Sequence, residues 1–341
     1  MAASQPLASL EPIDAVVTWV NGEDPAHREK LNAYLSSIGH RPKIASANRY
    51  RETGEFAYCI ASLLKYAPWL RRIHIVADAQ EPGFMPLLRQ AGWADKVQLV
   101  DHTRLFAGYE QHLPTFNIRS IKSMFWNIPG LADQFVFLND DFMLMRPVQP
   151  SHWFNNGKPV LVGQWMPQRA GVMAGQLIGR ASNKPEKRPG NHLAQAYSAR
   201  LAGFKFRYFK VPHKPHPLLK PVLEDFLTAH PELLEHNIKF PLRDESQFLA
   251  DSLCNHLALK QGVATVDNRF KTLRFKPSDY QEPRFSNLLS SIESNPAILY
   301  ACFQSLETMS DSMRDTFFTR LNQRMGRPDD IFSIGPAGDL V

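Results

Sequence analysis

A chain of 341 residues can bury roughly three quarters of its extended surface, and with 44% hydrophobic and 21% charged residues it has the composition of a globular protein, not a disordered one. A formal charge of +6 suits an anionic ligand, but the basic residues are spread along the chain, which argues against nucleic acid as a partner. Cys59, Cys254 and Cys302 are odd in number and far apart, so neither a disulfide framework nor a zinc ribbon is indicated, and a reducing compartment fits.

Residues 1–12 read as an N-terminal tail. They lack the basic and apolar regions of a signal peptide, and no segment reaches the roughly 20 apolar residues of a membrane helix. The expected compartment is the cytoplasm, with room for peripheral association at the inner face of the membrane. Residues 13–20 (IDAVVTWV) form an apolar, β-branched run that stops at Asn21-Gly22, so a buried strand and a turn are expected. Residues 72–78, 96–101 and 134–141 repeat that pattern, each closing on polar or acidic residues. Helical patterns cover residues 55–66 and 117–127.

Strands alternating with helices predict an α/β fold whose mostly parallel, Rossmann-like sheet carries helices on both faces. Ligands of such sheets sit beyond the carboxyl ends of the strands. Residues 13–150 are expected to form a nucleotide-sugar-binding half, and residues 151–330 to complete the catalytic domain with a C-terminal helical elaboration. In that second half, residues 160–165 suggest a strand, the Gly/Ser/Pro/Lys-rich stretch 171–191 a loop or lid, and residues 244–261 and 315–325 helices. Residues 331–341 read as a tail. There is no internal repeat, and no G-x-G-x-x-G or Walker pattern.

Four constellations carry chemistry. Asn139-Asp140-Asp141 closes the most apolar strand and offers hard oxygen ligands for Mg²⁺ or Mn²⁺; acidic pairs also cap turns at strand ends. Arg49 and Arg51 present planar forks that match phosphate oxygens, in a loop leading to a helix that Thr53 could cap; taken alone, the pattern is met more often by a solvated salt-bridge cluster. His213-Lys214-Pro215-His216 offers an imidazole able to take a proton from a hydroxyl, or a polar loop before a helix. In Arg243-Asp244-Glu245-Ser246-Gln247, Asp244 and Gln247 form a capping box, which leaves Arg243 for a phosphate.

In this order these segments resemble the Stealth family of sugar-phosphate transferases, which includes bacterial capsular and exopolysaccharide phosphotransferases and the animal lysosomal-enzyme N-acetylglucosamine-1-phosphotransferase. The resemblance runs through residues 13–25, then 49–55, 66–69, 73–78, 113–117, 128–131 and 139–141, then 213–216 and, less sharply, 243–247. It implies a glycosyltransferase-A-like fold, and transfer of a hexose- or N-acetylhexosamine-1-phosphate from a UDP-sugar with a divalent metal, leaving UMP.

Onto that scheme the residues map as follows. Asp140 and Asp141 hold the metal, Arg49, Arg51 and Arg243 bind the diphosphate, and His213 or His216 deprotonates an oligosaccharide or polysaccharide hydroxyl. Asn21 and Asp24 line the same crevice, and Glu55, Asn117 and Asn139 are further substrate-binding candidates within the matched segments. The chain departs from the family at Ala57 or Ala61, where arginine is common, and at Lys122, where glutamate is common. Two rival readings stand beside this one: a metal-dependent glycosyltransferase releasing UDP, and an inactive carbohydrate-binding protein. Oligomeric state is left open.

Overall fold

The computed structural model of the chain describes residues 11–39, 53–168 and 190–338. The first element is β1 (Ile13–Thr18), followed by α1 (Pro25–Ile38), α2 (Glu55–Tyr66), β2 (Ile73–Ala77), α3 (Met85–Gln90), β3 (Val97–Asp101), α4 (His102–Leu105), α5 (Ile118–Ser123) and β4 (Gln134–Asn139). β1 pairs in parallel with β2 and with β4, and β2 in parallel with β3. Parallel strands covered on both faces need near-continuous apolar sequence, and β1, β2 and β4 supply it. Ala15, Val17, Ile73, Ile75 and Leu138 pack with α2 on one face, while Val16, Val76, Phe135 and Phe137 pack with Ile121 of α5 on the other. The helices therefore cover both faces, as expected.

A charged group lies inside the sheet layer. The buried Asp14 carboxylate accepts bonds from Arg71 Nε (2.9 Å) and Nη2 (2.6 Å) and from the amides of Arg72 (3.1 Å) and Ala132 (2.9 Å), with His74 Nε2 at 3.1 Å. Burial alone would raise its pKa, but the bonds from Arg71, His74 and Ala132 override that and bring it down to about 2.

Beyond β4 the chain turns at Asp140-Asp141 into β5 (Phe142–Leu144) and leaves the main sheet. It continues through β6 (Phe154–Asn155), β7 (Lys158–Leu161), β8 (Gln164–Pro167), α6 (Asn191–Leu201) and β9 (Arg207–Lys210), which pairs antiparallel with β8. β10 (His216–Leu219) then returns to the main sheet as an antiparallel strand beside β4, giving the order β10-β4-β1-β2-β3. Helices α7 (Lys220–Ala229), α8 (Pro231–Ile238) and α9 (Ala250–Gln261) cover the Phe135/Phe137 face. The remaining elements are β11 (Thr265–Val266), β12 (Lys271–Phe275), α10 (Arg284–Ser294), β13 (Ile298–Phe303), α11 (Asp311–Met325) and α12 (Pro328–Ile334).

Several expectations are corrected here. The C-terminal half is not only a helical elaboration: β13 pairs with β12 on one side and with β5 on the other, building a second sheet directly onto the exit of β4. The helix expected from residue 244 starts at Ala250. Asp244 accepts from the Ser246 amide and Gln247 Oε1 accepts from the Asp244 amide, so the capping pair closes a turn and does not open a helix. Residues 331–334, expected in a tail, belong to α12, where Ile331 and Phe332 are buried and the Phe332 carbonyl accepts from Trp93 Nε1 at 2.8 Å. Residues 171–189 of the expected lid, like Arg49 and Arg51, lie outside the described residues. Among the described residues no helix is long and apolar enough to cross a membrane.

Candidate active site

In the main sheet β1 leads to β2 and β3 on one side, while β4 lies on its other side. The strand order thus reverses between β1 and β4, and an open α/β sheet forms its ligand crevice at such a switch point. Thr18 stands opposite Asn139 in the parallel register, so the loops after both strands emerge side by side. Three residues beyond Thr18, Asn21 is tied to the neighbouring loop: its amide donates to Gln80 Oε1 and its carbonyl accepts from Gln80 Nε2, both at 2.9 Å. Asp24 caps α1 by accepting from the His27 amide at 2.8 Å, and that bond holds its pKa below the usual value.

Asp140 and Asp141 occupy the turn between β4 and β5. The Asp141 carbonyl accepts from the Phe303 amide at 2.9 Å, which locks the turn to the end of β13. Its Oδ2 accepts from Cys302 Sγ at 3.2 Å, and its Oδ1 is buried with no hydrogen-bond partner. Burial, reinforced by the Asp141 charge beside it, pushes the Cys302 thiol well above its ordinary pKa, so Cys302 donates as a neutral S–H. On the other side Cys59 Sγ points at the Asn139 carbonyl at 3.9 Å, and its thiol is likewise raised by burial and by the charges of Asp140 and Asp141.

Of the two candidate histidines, His213 faces these carboxylates. Its Nε2 lies 3.9 Å from Asp141 Oδ2 and 3.4 Å from Gln304 Nε2, and its ring packs against Phe142. Arg274 can only donate, and it donates through Nε (2.8 Å) and Nη2 to Gln304 Oε1. That fixes the Gln304 amide with its NH₂ toward His213, so His213 Nε2 is the acceptor and its lone pair receives the Gln304 N–H. His216 instead stacks on Phe137 and lies 3.6 Å from Asp251 Oδ2, and burial pushes its pKa down to about 3. An imidazole so hard to protonate is a weak base. Between the two, burial brings Lys214 down to about 7.

Of the remaining candidates, Asn117 and Glu55 bond to neighbouring protein groups. Asn117 is fully buried: its Oδ1 caps α5 by accepting from the Arg119 amide, and its Nδ2 donates to the Phe240 carbonyl and to Gln247 Oε1. It holds a loop where the sequence suggests a substrate contact. Glu55 Oε2 accepts from the amide and hydroxyl of Thr53, and the helix N-cap is Gly54 at φ +98°, which corrects the role expected of Thr53. Arg243 lies in the segment between α8 and α9, next to Asp244, whose carbonyl accepts from the buried Arg119. Lys122, at the position where the resemblance expects glutamate, donates to Asp251 at 2.9 Å and lies over the Phe137 ring.

The residues present fit a hard divalent cation. Two adjacent carboxylates meet at a strand end, and the orphaned Asp141 Oδ1 is a buried oxygen whose missing partner a cation would supply. Cys302 is the participant that sequence reasoning passed over. The run ILYACF at residues 298–303, apolar and closing on the polar Gln304, carries the same signal that identified β1, β2 and β4.

Comparison with known proteins agrees with the sequence resemblance. Stealth protein conserved region 1 matches residues 11–39 and Stealth protein conserved region 2 matches residues 49–161. An exopolysaccharide phosphotransferase of Streptomyces coelicolor is 34% identical over 225 residues, covering 65% of this chain and 35% of that protein. The capsular polysaccharide phosphotransferase WcwK of Streptococcus pneumoniae is 37% identical over 147 residues, covering 43% of this chain and 42% of its own. The receptor polysaccharide phosphotransferase WefC of Streptococcus gordonii is 39% identical over 155 residues, covering 45% and 44%. The chain therefore spans less than half the length of these relatives. Among solved structures, the galactosyltransferase LgtC in complex with donor and acceptor sugar analogues aligns with a TM-score of 0.45 at 10% identity, covering 93% of this chain and 98% of that one. With both conserved regions in chain order on the strands that build the crevice, the chain belongs to the Stealth family.

Proposed function

We propose that the chain transfers a hexose- or N-acetylhexosamine-1-phosphate from a UDP-sugar to a hydroxyl of a capsule or exopolysaccharide, releasing UMP, in the cytoplasm beside the inner face of the membrane. The observation that carries this reading is the orphaned Asp141 Oδ1 at the switch point, with His213 Nε2 close by. The names of the matched relatives support the same chemistry.

Asp140 and Asp141 would hold Mg²⁺ or Mn²⁺, which supplies neutralisation of charge on the donor diphosphate. His213 Nε2 takes the proton of the acceptor hydroxyl. The hydroxyl oxygen bonds to the β-phosphorus, the bond from that phosphorus to the bridging oxygen breaks, and the bond to the anomeric carbon survives. Arg49, Arg51 and Arg243 steady phosphate oxygens, while Asn21 and Asp24 frame the crevice at the end of β1. His216, held neutral against Phe137, shapes the floor near Asp251.

The deciding experiment incubates the full chain with a panel of UDP-sugars, Mg²⁺ or Mn²⁺ and an oligosaccharide acceptor, and separates UMP from UDP by chromatography. UMP together with a phosphodiester phosphorus resonance is expected. UDP with a glycosidic product would overturn the proposal in favour of glycosyl transfer, and donor binding without turnover would leave only a carbohydrate-binding role.

A further inference from the structure

Asp141, His213 and Cys302 bring one oxygen, one nitrogen and one sulfur donor within 4.8 Å of one another. The sulfur-to-oxygen distance is 3.2 Å and the oxygen-to-nitrogen distance 3.9 Å. A tetrahedral ion with bonds of about 2.3 Å to sulfur and about 2.0 Å to nitrogen and oxygen sets its donors roughly 3.3–3.5 Å apart. The sulfur–oxygen pair is about 0.3 Å closer than its roughly 3.5 Å ideal and the oxygen–nitrogen pair about 0.6 Å wider than its roughly 3.3 Å ideal, so a small movement of the partly exposed His213 and Asp141 side chains closes the site. We propose that these three side chains form a capture site for a thiophilic borderline cation such as Zn²⁺, with different ligands from the Asp140–Asp141 pair and in competition with it for Asp141.

The surroundings suit such an ion. Cys302 lies in β13, held between β12 and β5, so its sulfur is fixed in place. The Arg274–Gln304 relay turns the Gln304 NH₂ toward His213 Nε2, which orients that nitrogen as an acceptor toward the site, and an ion takes the place of this N–H. The side chains of His213 and Asp141 retain 28% and 21% exposure, so an ion enters from the crevice and meets the buried sulfur behind them, with a fourth position left to water. On capture the Cys302 S–H bond breaks, the S–metal bond forms, and the proton leaves to solvent. Mg²⁺ has no use for a thiolate, whereas Zn²⁺ and Co²⁺ accept mixed nitrogen, oxygen and sulfur donors.

The functional consequence rests on the sugar-phosphate transfer reading. One captured ion withdraws both the Asp141 carboxylate and the His213 base, so about one equivalent of Zn²⁺ silences the enzyme and excess Mg²⁺ does not relieve it.

Cobalt is the probe. The full chain is titrated with Co²⁺ and its absorption followed. One Co²⁺ per chain is expected, with sulfur-to-cobalt charge-transfer absorption in the near ultraviolet, displaced by Zn²⁺ and absent in Cys302→Ser. In His213→Gln the affinity should fall at least tenfold, of the order found when an element of a metal site is removed. Absence of charge transfer in the wild-type chain, or its survival in Cys302→Ser, overturns the proposal. Circular dichroism checks the fold of each variant, and if Cys302→Ser fails to fold, the wild-type spectrum and His213→Gln decide. UMP release measured with Mn²⁺ separates the two readings: transfer without a cobalt–sulfur band removes the capture site alone, and a band without transfer removes the proposed function alone.

Discussion

Replacing Asp14 with Asn tests the physical account of the central sheet. The carboxylate sits in the middle of the parallel strands and is met by Arg71 Nε and the Arg72 amide on Oδ1, and by Arg71 Nη2, the Ala132 amide and His74 Nε2 on Oδ2. Its pKa falls from 3.8 to about 2 on folding. At about 1.36 kcal/mol per pH unit, that drop is worth about 2.5 kcal/mol of stability. Asn must turn its NH₂ toward one of these two sets, against guanidinium and backbone N–H groups that cannot accept it, which costs about 1–3 kcal/mol. The expected loss is therefore about 3–5 kcal/mol at neutral pH, the range for breaking a buried pair, read as a lower urea midpoint. Because the folded-state pKa is depressed, the wild-type benefit is complete above the unfolded value of 3.8 and disappears as pH falls through about 2. Asp14→Asn lacks that slope, so the gap between the two proteins narrows from pH 5 to pH 2, and other carboxylates cancel in the difference. A gap at neutral pH below about 1 kcal/mol, the size of an ordinary surface substitution, or one that is constant across this pH range, would refute the reasoning.

Three further substitutions probe the site and its supports. Asp141→Ala should cut UMP release by about 10³-fold or more with the melting temperature nearly unchanged, and a chelator should abolish wild-type activity until Mg²⁺ or Mn²⁺ is restored. Lys122→Met should cost about 3–5 kcal/mol in chemical denaturation, because it strands Asp251, whose ionised form Lys122 sustains against burial. Gly163→Ala should cost about 1–3 kcal/mol by overpacking, since a Cβ there would come 2.5 Å from the Lys210 carbonyl and 2.8 Å from the Phe209 ring.

The central sheet was legible in the sequence because parallel strands buried on both faces leave unbroken apolar runs. β1, β2, β3 and β4 lie within the runs expected for them, and α2 spans the residues its pattern marks. The placement of Asp140 and Asp141 followed from the rule that chemistry gathers at strand ends. Other features depend on long-range geometry that local sequence does not encode. The run preceding α7 contains β10, a four-residue strand too short to show a period. Asp244 and Gln247 obey a helix-capping pattern yet close a turn, because Gln247 is drawn into bonds with Asn117 and Asn237. Asn117 looks like a polar loop residue until its burial is seen. Cys302 reads as a stray thiol because its partner lies 161 residues earlier.

That separation has a consequence during synthesis. The second conserved region ends at residue 161, so both aspartates have been made well before residues 302 and 303 exist to fasten the turn that carries them. At about 5–20 residues per second, the ribosome needs on the order of 8–30 s to cover the gap. Through that interval the emerging polypeptide holds its acidic pair in an unfinished pocket, and the turn is fastened only when β13 clears the exit tunnel and docks.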